Sequence, residues 1–174
     1  MSTVSSIRRP AAGYLETLLA GQPQWRASSL AWINALRKQA VSRLNVLTVP
    51  TLRDEAWRFT DISPLTRLSF QPVCSAADLQ PADIERFYLE DATTRLVFVD
   101  GVYAPQLSNT LRDGGLMVAN LSAADTAKAA AIEPHLGHHA AFVHNVFAAL
   151  NTAVLQDVAV ILVPRNVTLA MPVH

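Results

Sequence analysis

Cysteine is almost missing from this chain. The 174 residues contain one, Cys74, so no internal disulfide can form, and a lone thiol holds no iron–sulfur cluster by itself. Glycine is scarce as well, at six residues, which leaves little material for a phosphate-cradling loop. Charged residues make up 16% of the chain, against roughly a quarter in ordinary soluble domains. Fourteen basic residues balance fourteen acidic ones, and aromatics reach only 7%. With no basic stripe, this argues against nucleic-acid binding and against an anionic membrane surface. No apolar run approaches the ~20 residues of a membrane span. Residues 1–10 hold two arginines but no apolar h-region, so no signal peptide is expected and the cytoplasm is the default compartment. The nucleophile elbow G-x-S-x-G and the zinc helix H-E-x-x-H are also missing. No catalytic residue is assigned, and the expected protein is not an enzyme.

What is abundant is apolar surface, at 51% of residues. That is more than this length needs to bury, so some of it is expected to meet another chain or another part of its own. Tyr14, Leu15, Leu18 and Leu19 form one short helical face that Gly21-Gln22-Pro23 should stop. Trp25, Leu30, Ile33, Leu36, Ala40 and Leu44 recur at three- and four-residue spacing. They predict a long amphipathic helix with Arg37, Lys38 and Arg43 on its other side or near its end. Thr51 and Asp54 have capping-box spacing, so a short helix should begin there. Residues 61–64 read as a turn, 72–80 as a polar connector, and 81–89 as another short helix with Pro81 in its first turn.

From Thr94 the texture turns to strands. Residues 95–99 and 102–107 flank Asp100-Gly101, a strong hairpin signal because both residues tolerate positive φ. Residues 113–115 suggest a second turn and 116–119 a third strand, together a small antiparallel meander. Ser122, with Asp125 three residues on, should cap a helix. Phe142, Val146, Phe147 and Leu150 share the face of a further helix. Residues 158–163 read as a fully buried strand, 164–166 as a turn and 167–169 as the start of another strand. So apolar a strand near a chain end is an edge expecting a neighbour, which suggests the front part of a longer protein or a sheet completed by a partner.

Two clusters could carry chemistry. His135, His138, His139 and His144 invite a metal reading, since positions 135 and 139 would share a helix face. Gly137 interrupts them, however, and Glu133 is the one carboxylate close by, whereas such sites want three or four ligands and a second shell. Solvated histidines at a helix start are the plainer reading. Arg53, Asp54, Glu55, Arg58, Asp61 and Arg67, interleaved with Trp57 and Phe59, form the densest charged segment. Trp57 suggests partial burial, where guanidinium–carboxylate pairing would act as a structural clamp; a partner contact is the other reading.

Three segments resemble the SufB/SufD family of iron–sulfur cluster assembly proteins. Arg53, Glu55, Trp57, Arg58, Phe59, Thr60 and Asp61, preceded by Pro50, resemble its R-x-E-x-W-R-[YF]-T-D signature. Phe98, Val99, Asp100, Gly101, Val102 and Tyr103 are similar to its next hairpin. Ala149, Leu150, Asn151, Thr152 and Ala153, then Asp157, Val163-Pro164 and Met171-Pro172, resemble its passage into the core. Val158 stands where the family usually has glycine after that aspartate, and Asn166 where a glycine often follows Val-Pro. The long helical start favours the SufD type.

The resemblance implies an α+β chain. N-terminal helices (1–70) and a small α+β region with the meander (71–150) would lead into the first rung of a right-handed parallel β-helix (151–174). It implies a non-catalytic scaffold subunit that pairs with a SufB-like subunit and, through a C-terminal region beyond these residues, with a SufC-like ABC-type ATPase. The iron–sulfur cluster would be handled by the complete complex, with no cofactor or metal held by this chain. A free-standing interaction module, or a metal-binding protein built on the histidines, are the alternatives.

Overall fold

The structure is a computed structural model that describes residues 10–20, 27–70, 73, 75–113 and 116–174. In chain order the helices are α1 (Pro10–Leu19), α2 (Ala31–Leu44), α3 (Ser63–Thr66), α4 (Pro81–Ile84), α5 (Thr126–Ile132) and α6 (Val146–Ala153). The strands are β1 (Phe98–Val99), β2 (Val102–Tyr103), β3 (Leu111–Asp113), β4 (Leu116–Asn120) and β5 (Ala159–Leu162). They sort into two compact units, and neither follows chain order. One unit holds Met1–Ala27, Ala31–Pro72 and His135–Leu155; the other holds Ser28–Leu30, Val73–Pro134 and Gln156–His174.

The helical unit is built on α2 and α6. Ala40, Leu44, Val146, Ala149 and Ala153 are buried together with Leu15 of α1, Val49 and Phe142. Small residues at 40, 149 and 153 let the two helices approach closely, which makes the contact sensitive to any added methylene. α6 begins at Asn145, whose side-chain oxygen accepts from the N–H groups of Phe147 (2.9 Å) and Ala148 (3.0 Å) and so satisfies donors the helix cannot. The predicted long helix is present but starts at Ala31, after the Ser28 hydroxyl accepts from Leu30 N–H in a local turn; Trp25 and the expected 21–23 stop lie outside the described residues. Arg37 and Arg43 are not simply solvated. Arg43 donates to the Val143 carbonyl from Nε (3.0 Å) and Nη2 (2.6 Å), and Arg37 donates from Nε to the Leu155 carbonyl. These carbonyls flank α6 before and after, so α2 brackets its neighbour at both ends.

The sheet unit holds two small sheets. β1 and β2 form the predicted hairpin, with Phe98 opposite Tyr103 and Val99 opposite Val102. Asp100 (φ 51°) and Gly101 (φ 82°) occupy the two-residue loop in the left-handed region, the backbone that matches strand twist in such hairpins. The strands are shorter than read from sequence, because the chain turns at Pro105–Leu107, where proline cannot donate to a ladder. The expected meander is corrected. β4 does not extend the hairpin but sits between β3 and β5 in a separate antiparallel sheet. β3 was not foreseen, and Gly114 and Gly115 of the expected second turn lie outside the described residues. β4 is the buried centre, with Met117, Val118 and Ala119 sealed from solvent.

β5 is also corrected. It lies at the edge of its sheet, as expected, but it is not buried on both faces: Val160 is buried and Ile161 56% exposed. Pro164 and Asn166 (φ 64°) make the expected turn, but residues 167–169 form no strand. The chain instead runs back beside Thr94, where Leu96 N–H donates to the His174 carbonyl (2.9 Å) and His174 N–H to that of Thr94 (3.1 Å). α5 is capped by Asp125, not Ser122. The Asp125 carboxylate accepts from Lys128 N–H (2.9 Å), while Ser122 lies in the preceding turn Leu121–Ala123. Pro81 opens α4 as predicted, with Gln80 and Asp83 closing a capping box.

Candidate functional site

The signature segment of the helical unit forms almost no helix. Asp54 accepts from Thr51 N–H (2.7 Å) and from the Thr51 hydroxyl (3.1 Å), and one helical turn, Glu55–Trp57, follows. Trp57 is half-buried, its ring 5.7 Å from that of Phe147 on α6. The side chains around it face outward. Arg53, Asp54, Glu55, Arg58, Thr60, Asp61 and Arg67 are all exposed. Glu55 and Arg58 pair at 3.0 Å on the surface, where such a pair adds little stability, so the expected partly buried clamp is corrected: Ile62 packs on the core and Trp57 on Phe147 beside it, while the charged groups stay outside.

Asp61 accepts from Ser63 N–H (2.9 Å) and the Ser63 hydroxyl (3.0 Å). The Ser63 N–H foremost, then its hydroxyl, hold the Asp61 carboxyl below its ordinary range. The same segment exposes large apolar groups: Leu52, Leu65, Leu68, Phe70, and Phe59 at 86%. The Arg58 guanidinium lies over the Phe59 ring at 4.5 Å.

The other singled-out residues serve the frame more than a surface. Thr152 is buried and its hydroxyl donates to the Ala148 carbonyl within α6 (2.8 Å), while Asn151 is exposed. Asp157, in the sheet unit, is the most engaged. Its carboxylate accepts from Asn120 Nδ2 (2.7 Å), from Ser122 N–H (3.2 Å) and from Val158 N–H (2.9 Å), tying the end of β4 and the following turn to the start of β5. Asn120 is 8% exposed, and sequence reasoning missed it; an asparagine closing an apolar strand was its cue. Asp100 and Gly101 act through backbone conformation alone.

The histidines do not gather. Residues 135–139 form turns rather than a helix, so positions 135 and 139 share no helical face, and all four histidines are exposed. The break is at Gly137, whose φ of +81° belongs to glycine, and a Cβ there would lie 3.1 Å from Leu36 Cδ1. Among the described residues, no three His, Cys, Asp or Glu side chains are placed to hold a metal ion. Cys74 lies outside them. No helix among the described residues is long and apolar enough to cross a membrane.

The model of the SufBD protein N-terminal region matches residues 11–174, nearly the whole chain. The chain belongs to the SufBD family. An iron–sulfur cluster assembly SufBD family protein of Synechocystis is 37% identical over 142 residues, covering 79% of this chain and 30% of the relative. The iron–sulfur cluster assembly protein SufD of Escherichia coli is 32% identical over 82 residues, covering 47% of this chain and 19% of the relative. The chain thus spans under a third of the length of these SufBD relatives. The SufBD match takes in the exposed 51–62 segment, the hairpin at Asp100 and the Asp157 junction alike.

Proposed function

We propose that this SufBD chain works in iron–sulfur cluster assembly as the N-terminal part of a non-catalytic, SufD-like scaffold subunit. Its partners are a SufB-like subunit and a SufC-like ABC-type ATPase in the cytoplasm, and the cluster is cargo of the complete complex rather than a cofactor of this chain. The observation that carries the reading is the family match over residues 11–174, together with the names of both relatives. The side chains support it. The polar signature residues hydrogen-bond to nearby main chain or stand exposed, and large apolar groups remain on the surface, as in a protein that works by contact.

β5 leads, in the same reading, into a right-handed parallel β-helix. The support is its free edge and outward Ile161 and Val163, since stacked rungs need apolar neighbours to cover such groups.

The test is affinity purification of the native gene product, tagged at its chromosomal locus, with identification of everything recovered in stoichiometric amounts. A SufB-like subunit and an ABC-type ATPase are expected. Recovery of the bait alone, as a stable monomer, would leave a free-standing module and end the scaffold reading.

A further inference from the structure

We propose that residues 142–162 are a conformational keystone: they complete both units, and the chain made before them stays open until they are in place. The helical unit shows why. Its buried cluster is divided between two distant stretches, with Leu15, Ala40, Leu44 and Val49 on one side and Phe142, Val146, Ala149 and Ala153 on the other. Arg43 and Arg37 of α2 likewise find their acceptors 100 and 118 residues further on, at Val143 and Leu155. Before α6 exists, Ala40 and Leu44 lack the side chains that bury them. A stretch of about 60 residues is marginal even with a whole core. α2 itself has 14 residues, a length at which a helix without tertiary packing is marginal in water.

The sheet unit waits on the same stretch. β4 is central, with β3 on one side and β5 on the other. Without Ala159–Leu162, β3 and β4 are a two-stranded pair, as β1 and β2 are, and a lone pair of strands is marginally stable at best. The end of β4 is secured there as well. The buried Asn120 donates to the Asp157 carboxylate (2.7 Å), and Leu121 N–H to the Val158 carbonyl (2.8 Å). Since α6 and β5 follow one another in the chain, one continuous stretch supplies the missing helix of one unit and the missing strand of the other. Residues 27–134 therefore carry the apolar sides of α2 and β4 uncovered until synthesis has passed Leu162, unlike an N-terminal domain that folds as it emerges.

The keystone holds whatever partners the finished protein has, so it can fail without the scaffold reading and the reverse. The test uses ribosome-bound nascent chains of the full-length native gene, arrested at two lengths: with residue 134 clear of the ribosome, and with residue 162 clear. Each is treated with a fixed dose of trypsin, and cleavage is timed after Lys38 and Arg43 in α2 and after Arg95 in the sheet unit. At the shorter length all three sites should be cut as fast as in urea-unfolded chains; at the longer length each should be cut severalfold more slowly. Protection of Lys38 and Arg43, or of Arg95, at the shorter length would overturn the proposal. So would cleavage at the unfolded rate at the longer one.

Discussion

The 149–157 passage and the 52–70 segment both carry family marks, yet they spend their side chains in opposite directions. In the first, Thr152 and Asp157 turn onto nearby main chain and onto Asn120. In the second, the carboxylates satisfy their own turns and the apolar groups, Phe59 above all, face outward. A recurrent residue can therefore mark a frame joint or a contact surface, and the sequence pattern alone does not distinguish them. Exposure and hydrogen-bond partners do.

The sharpest way to break this contrast is at the frame joint. Asp157→Ala strands the Nδ2 group of the buried Asn120 and frees two main-chain N–H groups. It should cost about 2–3 kcal/mol, read as a lower denaturant midpoint, with faster hydrogen exchange in β4 and β5. A loss below ~0.5 kcal/mol would mean that Asp157 does not hold the sheet.

Removing the cap of α6 tests the helical unit's own frame. Asn145→Ala should cost about 1 kcal/mol, with fraying confined to the first turn of α6.

Acid gives a smaller, graded effect. The Asp61 carboxyl is lowered chiefly by the Ser63 N–H, and that of Asp125 by the Lys128 side chain and then its N–H. Because folding depresses these values, their contribution is complete above the ordinary aspartate pKa of ~3.9 and fades as pH falls through the lower folded values. Chemical shifts of the Ser63 and Lys128 amides should titrate with midpoints below that of an unstructured aspartate.

The smallest effect on stability is expected at the surface. Phe59→Ser should shift stability by less than ~0.5 kcal/mol, since the ring is almost entirely in solvent. A large loss by thermal denaturation would erase the contrast between the two regions.

Features governed by neighbours in sequence were readable. Asp100-Gly101 specified its hairpin because its turn chemistry is local, and the three- and four-residue spacing from Ile33 to Leu44 marked α2. Errors arose where a distant partner decides. Ser122 and Asp125 both offer a capping oxygen, and only the path of the chain selects Asp125. The 158–163 run was legible as an edge strand, but not the exposure of one face, where Ile161 is 56% in solvent. Arg37 and Arg43 find their carbonyls 118 and 100 residues further along the chain, at Leu155 and Val143. Of the site, the signature residues were visible as letters, but their exposure was not, because it depends on how Trp57 and Ile62 seat the segment against residues distant in sequence, such as Phe147.

The most direct measurement is made in cells lacking the native gene and complemented with Phe59→Ser or Asp157→Ala in the full-length product, scoring the activity of an iron–sulfur enzyme against the abundance of each variant. The account predicts that Phe59→Ser accumulates normally but supports little cluster delivery, while Asp157→Ala fails through low abundance. Full activity of Phe59→Ser, or an abundant yet inactive Asp157→Ala, would contradict it.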